Sequence, residues 1–262
     1  MNLKEKEMLD ILKQLRDENG VIAIKAEFEA EGSRTDELIK LNEIVYRADM
    51  KLYIKIGGCE AIRDLDQCIL LGASGIMAPM IETPFAMQKF KSAANKVYGD
   101  RINDIEWIIN AETKTCEQNL NDILNEGKGF LKTISIGRVD FSASMGMTRD
   151  EINSETMFEH TKNVAIKARE SGFVVNFGGG ITFDAVPFIC NISPYADRFE
   201  TRKVVFSINN NPSLLRKGIY NAMKFETLYL RNKCDFYGRM ANEDMARVNM
   251  MEARLENALK DL

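Results

Sequence analysis

The sequence predicts a (β/α)₈ barrel of the TIM type with extra helices at its C-terminus. Short β-rich runs alternate with helical stretches along the chain, which is typical of parallel α/β architecture. Seven strands are clear, and no G-x-G-x-x-G follows the first, so a dinucleotide-binding doubly wound sheet is not supported. The 262 residues also suit one such barrel, which takes about 250 residues. We therefore assign 1–262 to a single barrel domain.

The predicted elements follow one another without a linker. An amphipathic helix at 2–18 ends at Asn19 and Gly20. The strands are predicted at 21–28, 52–57, 75–80, 107–112, 133–140 and 173–177, and 198–208 is expected to be extended, as one bent strand or two. The helices between them are predicted at 34–48, 59–71, 84–97, 115–126 and 153–171, with another opening at Thr182. We expect the barrel to be irregular where the last strands crowd into 198–208.

The segment 212–262 is predicted to be mostly helical, with an interruption near Asp235–Gly238. It lies beyond the last strand, so it packs either on its own barrel or on a neighbouring subunit. The last helix, about 239–261, carries one apolar stripe, formed by Met245, Val248, Met251, Leu255 and Leu259. A homo-oligomer is therefore expected.

Composition excludes several classes of protein. Lys and Arg number 35 against 39 Asp and Glu, and a net charge of −4 argues against a nucleic-acid binder. No apolar run is long enough to span a membrane, and the N-terminal segment has no apolar signal core. Five cysteines at scattered spacings, without a CxxC pair, favour reduced thiols. We therefore expect a cytoplasmic protein.

A single histidine, His160, limits the possible chemistry. Mechanisms that need a pair of histidines are excluded, and so is a His₃ zinc site. His160 lies within a predicted helix, where a packing or surface role is the more common one.

Polar side chains follow almost every predicted strand, where a barrel of this type carries its active site. Ordinary surface loops are also polar, so the argument rests on the whole ring rather than on any one residue. Its members are Lys25, Glu27, Glu29, Lys55, Glu82, Glu112, Arg138, Asp140, Asn176, Glu200 and Arg202.

Glu112 and Asp140 end two consecutive strands. Two converging carboxylates, without histidine or thiolate, are hard oxygen ligands that suit Mg²⁺ or Mn²⁺. The alternative is that each is a salt-bridge or helix-cap group in a loop, and the spacing alone leaves both interpretations open.

Glu27 and Glu29 are candidates for a catalytic base. Alternate residues of a strand share a face, so both can point into the barrel mouth beside Lys25. Clustered carboxylates raise one another's pKa towards the range useful for proton transfer. The alternative is structural pairing of these carboxylates with neighbouring cations such as Lys25 or Lys55.

Two further segments could bind an anion. Gly178-Gly179-Gly180 precedes a predicted helix, and backbone N–H groups there could hold a phosphate or carboxylate. A tight strand-to-helix turn explains the three glycines equally well. Arg202 offers a second anion contact, with an exposed salt bridge as the alternative.

Three segments resemble one known family. IINAETKTCEQNLNDIL (108–124) and ISIGRVDFSASMGM (134–147) are similar to the E-T and G-x-x-D-L-[SA]-x-S-[LM]-G segments of the HpcH/HpaI aldolase and citrate lyase β-subunit family. GASGIMAPMIETPFAM (72–87) resembles an upstream stretch of the same family. The ordered matches cover roughly 20–147.

The resemblance implies a metal-dependent aldolase or carbon–carbon lyase on a (β/α)₈ barrel. By that likeness Glu112 and Asp140 hold Mg²⁺ or Mn²⁺, and a 2-oxo acid such as pyruvate chelates the metal, which stabilises the enolate. An aldehyde-type substrate is the expected second partner. The residues expected to be catalytic are Glu27, Glu29 and Lys55, and those expected to bind substrate are Lys25, Lys55, Glu82, Arg138, Asn176 and Arg202.

The chain departs from the family pattern in three places. The acidic residue and histidine expected near 21–29 are replaced by a segment without histidine, so the usual base is missing. Lys55 stands where the family has an arginine, and a lysine is a point charge rather than a bidentate fork. The first strand of the family also has no counterpart, since helix 2–18 leads directly into a segment that resembles the second.

Two other functions compete with the aldolase. One is an acyl-CoA lyase that splits a citryl-type or malyl-type thioester, although no basic, aromatic stretch marks a nucleotide groove. The other is a non-catalytic barrel that binds a sugar acid or serves as an assembly subunit. Metal binding without turnover would favour the non-catalytic protein, and thioester cleavage would favour the acyl-CoA lyase.

Overall fold

The computed structural model describes residues 1–260, with side chains through residue 255, and shows a closed barrel of eight strands in chain order. The strands are Val21–Glu27 (β1), Lys51–Lys55 (β2), Gly75–Ala78 (β3), Glu106–Ala111 (β4), Thr133–Gly137 (β5), Val174–Gly178 (β6), Arg198–Glu200 (β7) and Val204–Ser207 (β8). The helices are Leu3–Asn19 (α1), Thr35–Arg47 (α2), Ile62–Leu70 (α3), Pro84–Tyr98 (α4), Lys114–Gln118 (α5), Leu120–Gly127 (α6), Arg138–Ser144 (α7), Glu155–Glu170 (α8), Val186–Ile192 (α9) and Pro212–Lys260 (α10). The predicted barrel class is confirmed.

Local capping signals explain where several helices begin and end. Asn2 caps α1 by accepting from the Glu5 N–H at 2.9 Å, and the Glu5 side chain accepts from the Asn2 N–H at 2.7 Å. Gly20 ends the same helix in the left-handed conformation, with φ of 66°. Thr83 caps α4, and Pro84 occupies its first turn, where the missing N–H of proline costs no hydrogen bond.

The last strand runs against the others. β1 to β7 are parallel neighbours, whereas β8 pairs antiparallel with both β7 and β1. The seven parallel strands alone would leave β1 and β7 with open edges. A β-hairpin within 198–208 supplies the eighth strand, which fills that gap and closes the barrel.

The turn of this hairpin is built by Thr201. Its N–H donates to the Val204 carbonyl at 2.9 Å, and its hydroxyl accepts from the Val204 N–H at 3.1 Å. These two hydrogen bonds reverse the chain within a few residues. The segment predicted as one bent strand or two is therefore two strands.

Three predicted boundaries were wrong. The strand predicted at 133–140 stops at Gly137, and Arg138 opens α7, so Asp140 lies in the first turn of a helix. The helix predicted at 115–126 is two helices that meet at Asn119. The helix predicted from Thr182 begins as a 3₁₀ turn, and α9 starts only at Val186.

The interruption predicted near Asp235–Gly238 is also wrong, because α10 is continuous through this segment. A glycine inside a helix costs only about 1 kcal/mol. Two contacts made just before Gly238 offset that cost: Lys233 Nζ lies 2.8 Å from Glu37 Oε2, and the Tyr237 hydroxyl donates to the same carboxylate.

The inside of the barrel is layered. Glu106 at the start of β4 holds a polar floor, accepting from Tyr53 at 2.6 Å, Thr133 at 2.6 Å and Arg198 at 2.5 Å. Above the floor lies a small apolar layer, composed of Ala23, Tyr53, Met77, Ile108 and Val205. Polar side chains fill the next layer, towards the carboxyl ends of the parallel strands. The mouth of the barrel therefore rests on a packed interior and not on an open channel.

Within the described residues, the model contains no helix that combines the length and the apolar character required to cross a membrane.

Candidate active site at the barrel mouth

One cavity of about 660 Å³ opens at the carboxyl ends of the parallel strands. It brings together most of the residues that the sequence singled out. Those that line it are Lys25, Glu27, Glu29, Lys55, Glu112, Asp140, Glu200 and Arg202, together with the loop Gly178-Gly179-Gly180. Residues from six separate chain segments thus converge on one space.

Glu112 is buried and held on several sides. Its Oε1 accepts from the Met80 N–H at 3.0 Å, and its Oε2 accepts from Asn110 Nδ2 at 2.8 Å. Met80 has φ of 52°, a conformation that costs a non-glycine residue energy and is found where the surroundings enforce it. Burial raises the pKa of Glu112; Lys55 opposes this effect, and the charge of Asp140 adds to it.

Gly137 begins the segment Gly137–Gly146, which resembles the family motif, and its lack of a side chain leaves room for Glu112. It faces inward beside Glu112, and a Cβ added there would lie 2.7 Å from Glu112 Oε2 and 2.9 Å from Glu112 Cβ. No side chain fits while Glu112 keeps its position. Asp140, three residues later, lies exposed at the rim of the same cavity.

Two lysines neutralise part of the buried negative charge. Lys55 Nζ lies 2.6 Å from Glu29 Oε2 and 3.7 Å from Glu112 Oε2. Lys25 Nζ lies 2.5 Å from Glu200 Oε1 and 3.4 Å from Glu27 Oε1. Burial by itself would lower the pKa of Lys25, but the Glu200 and Glu27 carboxylates outweigh it and raise that pKa. Lys25 is therefore cationic, which disfavours it as a Schiff-base nucleophile.

Asn176 lies under the cavity in a row of polar side chains on neighbouring strands. Asn110, Ser135 and Asn176 are neighbours in register on β4, β5 and β6. Asn176 Nδ2 donates to Ser135 Oγ at 2.8 Å and to Glu200 Oε2 at 2.7 Å. The row orients Glu200 and connects the Glu112 side of the mouth to the Lys25 side.

Arg138 is not part of the cavity wall, contrary to the predicted role in substrate binding. Its guanidinium is fully buried and lies 4.2 Å from the centre of the Phe188 ring. It donates to the carbonyls of Gly178 at 3.2 Å and Gly179 at 2.6 Å. Burial lowers the pKa of Arg138 to about 9, so it remains charged at neutral pH. Its place in the structure is that of an anchor for the glycine loop.

Glu82 and His160 also lie away from the cavity wall. Glu82 accepts from the Thr113 hydroxyl at 2.7 Å, which joins the loops that follow β3 and β4. His160 Nδ1 lies 2.7 Å from Glu117 Oε2 and its ring packs beside Phe141. Both residues support the helices around the mouth.

Four charged residues near the mouth escaped the sequence analysis. Arg149 and Glu226 line the cavity, and the buried Lys203 forms an ion pair with Glu31 beside it. Lys203 and Glu31 follow strand ends in the sequence, and that position is the signal that marks them as candidates. Glu226 lies in the middle of α10, and no local pattern marks it.

Among the described side chains, no group of three or more His, Cys, Asp and Glu residues is arranged to hold a metal ion. Glu112 and Asp140 are thus a pair, and any metal between them would take its other ligands from water or substrate.

Comparison with known proteins agrees with the motifs at the mouth. The sequence model of the HpcH/HpaI aldolase/citrate lyase family matches residues 29–178, more than half of the chain. The chain belongs to this family. Membership supports a lyase, and the matched range contains both Glu112 and Asp140. No curated protein matches the chain significantly.

Several solved structures share the fold. An HpcH/HpaI aldolase from Desulfitobacterium hafniense DCB-2 superimposes with a TM-score of 0.62 at 14% identity, over 87% of this chain and 89% of that one. An HpcH/HpaI aldolase/citrate lyase family protein from Burkholderia cenocepacia J2315 gives 0.57 at 13% identity, over 83% and 99%. RipC from Yersinia pestis gives 0.52 at 14% identity, over 79% and 88%. At these identities the likeness concerns the fold.

Proposed function

We propose that this protein is a carbon–carbon lyase of the aldolase type that depends on a divalent metal and acts through the enolate of a 2-oxo acid such as pyruvate. Glu112 and Asp140 would hold Mg²⁺ or Mn²⁺. A small aldehyde-type compound is the proposed second substrate. Five cysteines without a disulfide are consistent with the proposed cytoplasmic location.

The charge of the cavity carries this proposal. Its wall contains six carboxylates, from Glu27, Glu29, Glu112, Asp140, Glu200 and Glu226, but four cationic side chains, from Lys25, Lys55, Arg149 and Arg202. Burial together with the neighbouring Asp140 makes the ionised form of Glu112 costly, and Lys55 compensates for this only in part. A divalent cation between hard oxygen donors would balance that excess charge. The donor set therefore fits the proposed metal.

The remaining residues would bind and orient the substrate. A bound divalent cation supplies positive charge that stabilises an enolate. Lys55, held between Glu29 and Glu112, is placed to attract the carboxylate of a 2-oxo acid. Glu27 and Glu29 stay the proposed groups for proton transfer at carbon, since their ion pairs with lysines fix both carboxylates in the cavity.

The cavity wall argues for a small polar substrate over an acyl-CoA. No aromatic side chain occurs among the residues that line it, so nothing there would stack on an adenine ring. Glu82 and Arg138 are better explained as supports for the surrounding loops, and Asn176 as a support for Glu200.

Substitution of the two carboxylates tests the proposal. We expect Glu112→Gln and Asp140→Asn each to weaken Mn²⁺ binding by at least about tenfold, because an amide is a poorer ligand for a hard cation. Calorimetric titration measures the affinity, and loss of proton–deuterium exchange at the pyruvate methyl group, followed by NMR, measures enolisation. Asp122→Asn, an exposed change on α6, is the matched control.

Three results would decide against parts of this proposal. If the wild type binds no divalent metal, the mechanism is wrong. If both variants bind Mn²⁺ as the wild type does, the ligands are misassigned. Metal binding without exchange would favour a non-catalytic binding protein or a substrate other than pyruvate.

A further inference from the structure

Two of the six carboxylates of the cavity have no partner within the described part of the chain. Glu27, Glu29, Glu112 and Glu200 each form an ion pair with Lys25 or Lys55. Asp140 and Glu226 form neither an ion pair nor a hydrogen bond among the side chains described through residue 255. Asp140 is already assigned to the proposed metal site, which leaves the Glu226 carboxylate unexplained.

The surroundings of Glu226 leave its carboxylate free although cations lie nearby. Buried Lys203 forms an ion pair with Glu31, and its Nζ lies 4.6 Å from the centre of the Tyr229 ring. Burial raises the pKa of Glu226; Lys203 and Arg202 oppose this effect, while Glu31 and Glu27 add to it. These four residues are the charged groups that face Glu226 from β1, the loop after β1, and the turn between β7 and β8. A carboxyl in such a setting can exchange a proton nearer to neutral pH than an exposed one.

Glu226 lies across the mouth from the proposed metal site. Glu112 follows β4, whereas the neighbours of Glu226 belong to β1 and to the turn that enters β8. In a closed barrel of eight strands in chain order, β4 and β8 stand opposite each other. A substrate that reaches from Glu112 towards α10 would therefore present its far half to Glu226.

We infer that Glu226 is a catalytic acid and base for the second substrate, a hydroxyaldehyde, and exchanges a proton with the oxygen on its reacting carbon. This inference rests on the proposed function. In the direction of addition, the methyl carbon of the 2-oxo acid loses a proton to a carboxylate of the mouth and forms a bond to the aldehyde carbon. The carbonyl electron pair moves to the aldehyde oxygen, which takes the proton of Glu226. Solvent then reprotonates Glu226 and takes up the proton held by the other carboxylate. The product is a hydroxy-2-oxo acid, and no oxidant or reductant is required.

The wall around Glu226 supports a small polar acceptor. Arg202 is exposed beside it and can donate to hydroxyl groups, and Met223 supplies the one apolar surface that α10 contributes to the cavity. Hydroxyl groups can also donate to the Glu226 carboxylate. Glycolaldehyde and the two enantiomers of glyceraldehyde have the required size and polarity and serve as probes.

The test compares two half-reactions of the full-length protein with Mn²⁺. We expect Glu226→Gln to keep exchange at the pyruvate methyl group within about threefold, since that step does not use Glu226. Addition of pyruvate to the probes should fall by about a hundredfold or more, as for loss of a general acid. Glu226→Asp should restore part of the addition, and Glu170→Gln, an exposed change on α8, should alter neither rate.

The pH profile adds a second readout. Because Glu226 must be protonated to act as an acid, the rate of addition by the wild type should fall as pH rises through the pKa of Glu226. The rate of addition by Glu226→Gln should not show that decrease. A residue with a merely structural role would change exchange and addition together and would leave the profile unaltered.

Each other outcome is decisive. Equal addition by Glu226→Gln and the wild type overturns the inference, as does parallel loss of exchange and addition. Wild-type exchange without addition to any of the three probes also overturns it, because the acceptor class is then wrong. Absence of exchange in the wild type rejects the proposed function itself, which is a different result.

Discussion

Gly137 gives the Glu112 carboxylate the space in which it lies. We expect Gly137→Ala to push Glu112 aside, because the added Cβ would come within 2.9 Å of Glu112 Cβ, which cannot move away without the backbone. The change should cost about 1–3 kcal/mol of unfolding free energy. Manganese affinity should fall by at least about tenfold if Glu112 is a ligand. Urea unfolding and calorimetric titration measure the two effects.

Gly58→Ala is the matched control for this substitution. Its φ is not in the left-handed region, and a Cβ there would meet nothing within 4 Å. It should leave manganese affinity unchanged. If Gly137→Ala binds manganese as tightly as the wild type, then the position of Glu112 is irrelevant to the metal.

Glu106 stabilises the fold at neutral pH from the opposite end of the barrel. Burial would raise its pKa, but hydrogen bonds from Thr133 and Tyr53 and the charge of Arg198 outweigh this and lower it. A lowered pKa contributes stability above the unfolded value of about 4.3, and this contribution is lost as pH falls through the folded value. The ion pair with Arg198 should therefore matter at neutral pH and fade in acid.

We expect Glu106→Gln to lower the unfolding free energy by about 3 kcal/mol at neutral pH, because it leaves the Arg198 charge half-buried without its partner. The difference from the wild type should shrink between neutral and acidic pH, as the pH falls through the lowered pKa of Glu106 and the wild-type carboxyl also becomes protonated. Urea unfolding at both pH values measures it, with Glu170→Gln as the exposed control. A difference that grows towards acid would contradict this account.

Helix α10 consists of two parts with different surroundings. Its first part packs along α1, where Lys217 lies 2.6 Å from Glu18 and Lys224 lies 2.9 Å from Glu7. From Arg239 to Leu255 every residue is exposed, so this part, which we call the arm, stands free of the barrel. The arm rises on the mouth side, since Lys233 and Tyr237 already contact Glu37 in the first turn of α2.

The apolar stripe of the arm is as exposed as the rest of it. Met245 is 59% exposed, Val248 47%, Met251 46% and Leu255 61%, while the side chain of Leu259 lies outside the described residues. In proteins most of the stability of a helix comes from packing of its apolar face, and the described residues offer this stripe nothing to pack on. We therefore maintain the proposal that the arm packs on a neighbouring copy of the chain.

Charged residues placed on the stripe test this proposal. We expect the wild type to sediment as a homo-oligomer at micromolar concentration, and Val248→Glu with Met251→Glu to sediment as a smaller species with an unchanged barrel. Ala246→Glu with Ala253→Glu places the same charges on the opposite face of the arm and should leave the assembly intact. A monomeric wild type would reject the proposal.

The closed barrel is what brings distant parts of the chain to one mouth. Residues from β1, from the loops after β4 and β5, and from α10 all face one cavity. The antiparallel β8 is essential to this arrangement, because it lets α10 start at the floor and climb past the mouth. Glu226 reaches the cavity by that route.

The sequence by itself determined the barrel class, the order of the strands and most of the polar ring. Alternation of apolar residues marks strands and their inward faces, and a chemical motif such as Gly137 to Gly146 is local, so both can be read from neighbouring residues. The same reasoning placed Lys25, Glu27, Glu112 and Asp140 at one mouth, where the structure has them.

Only the tertiary structure decided which way β8 runs, how Arg138 is used and that Glu226 belongs to the cavity. The two-residue period of a strand does not show whether the strand runs parallel or antiparallel to its neighbours. The antiparallel direction of β8 therefore depends on the open edges of β1 and β7, which it fills. Arg138 follows a strand as a site residue would, but whether it turns to the mouth or to the Gly178 and Gly179 carbonyls depends on a contact about 40 residues away. Glu226 enters the site because α10 packs across the barrel wall, and that packing joins chain ends that no local pattern connects.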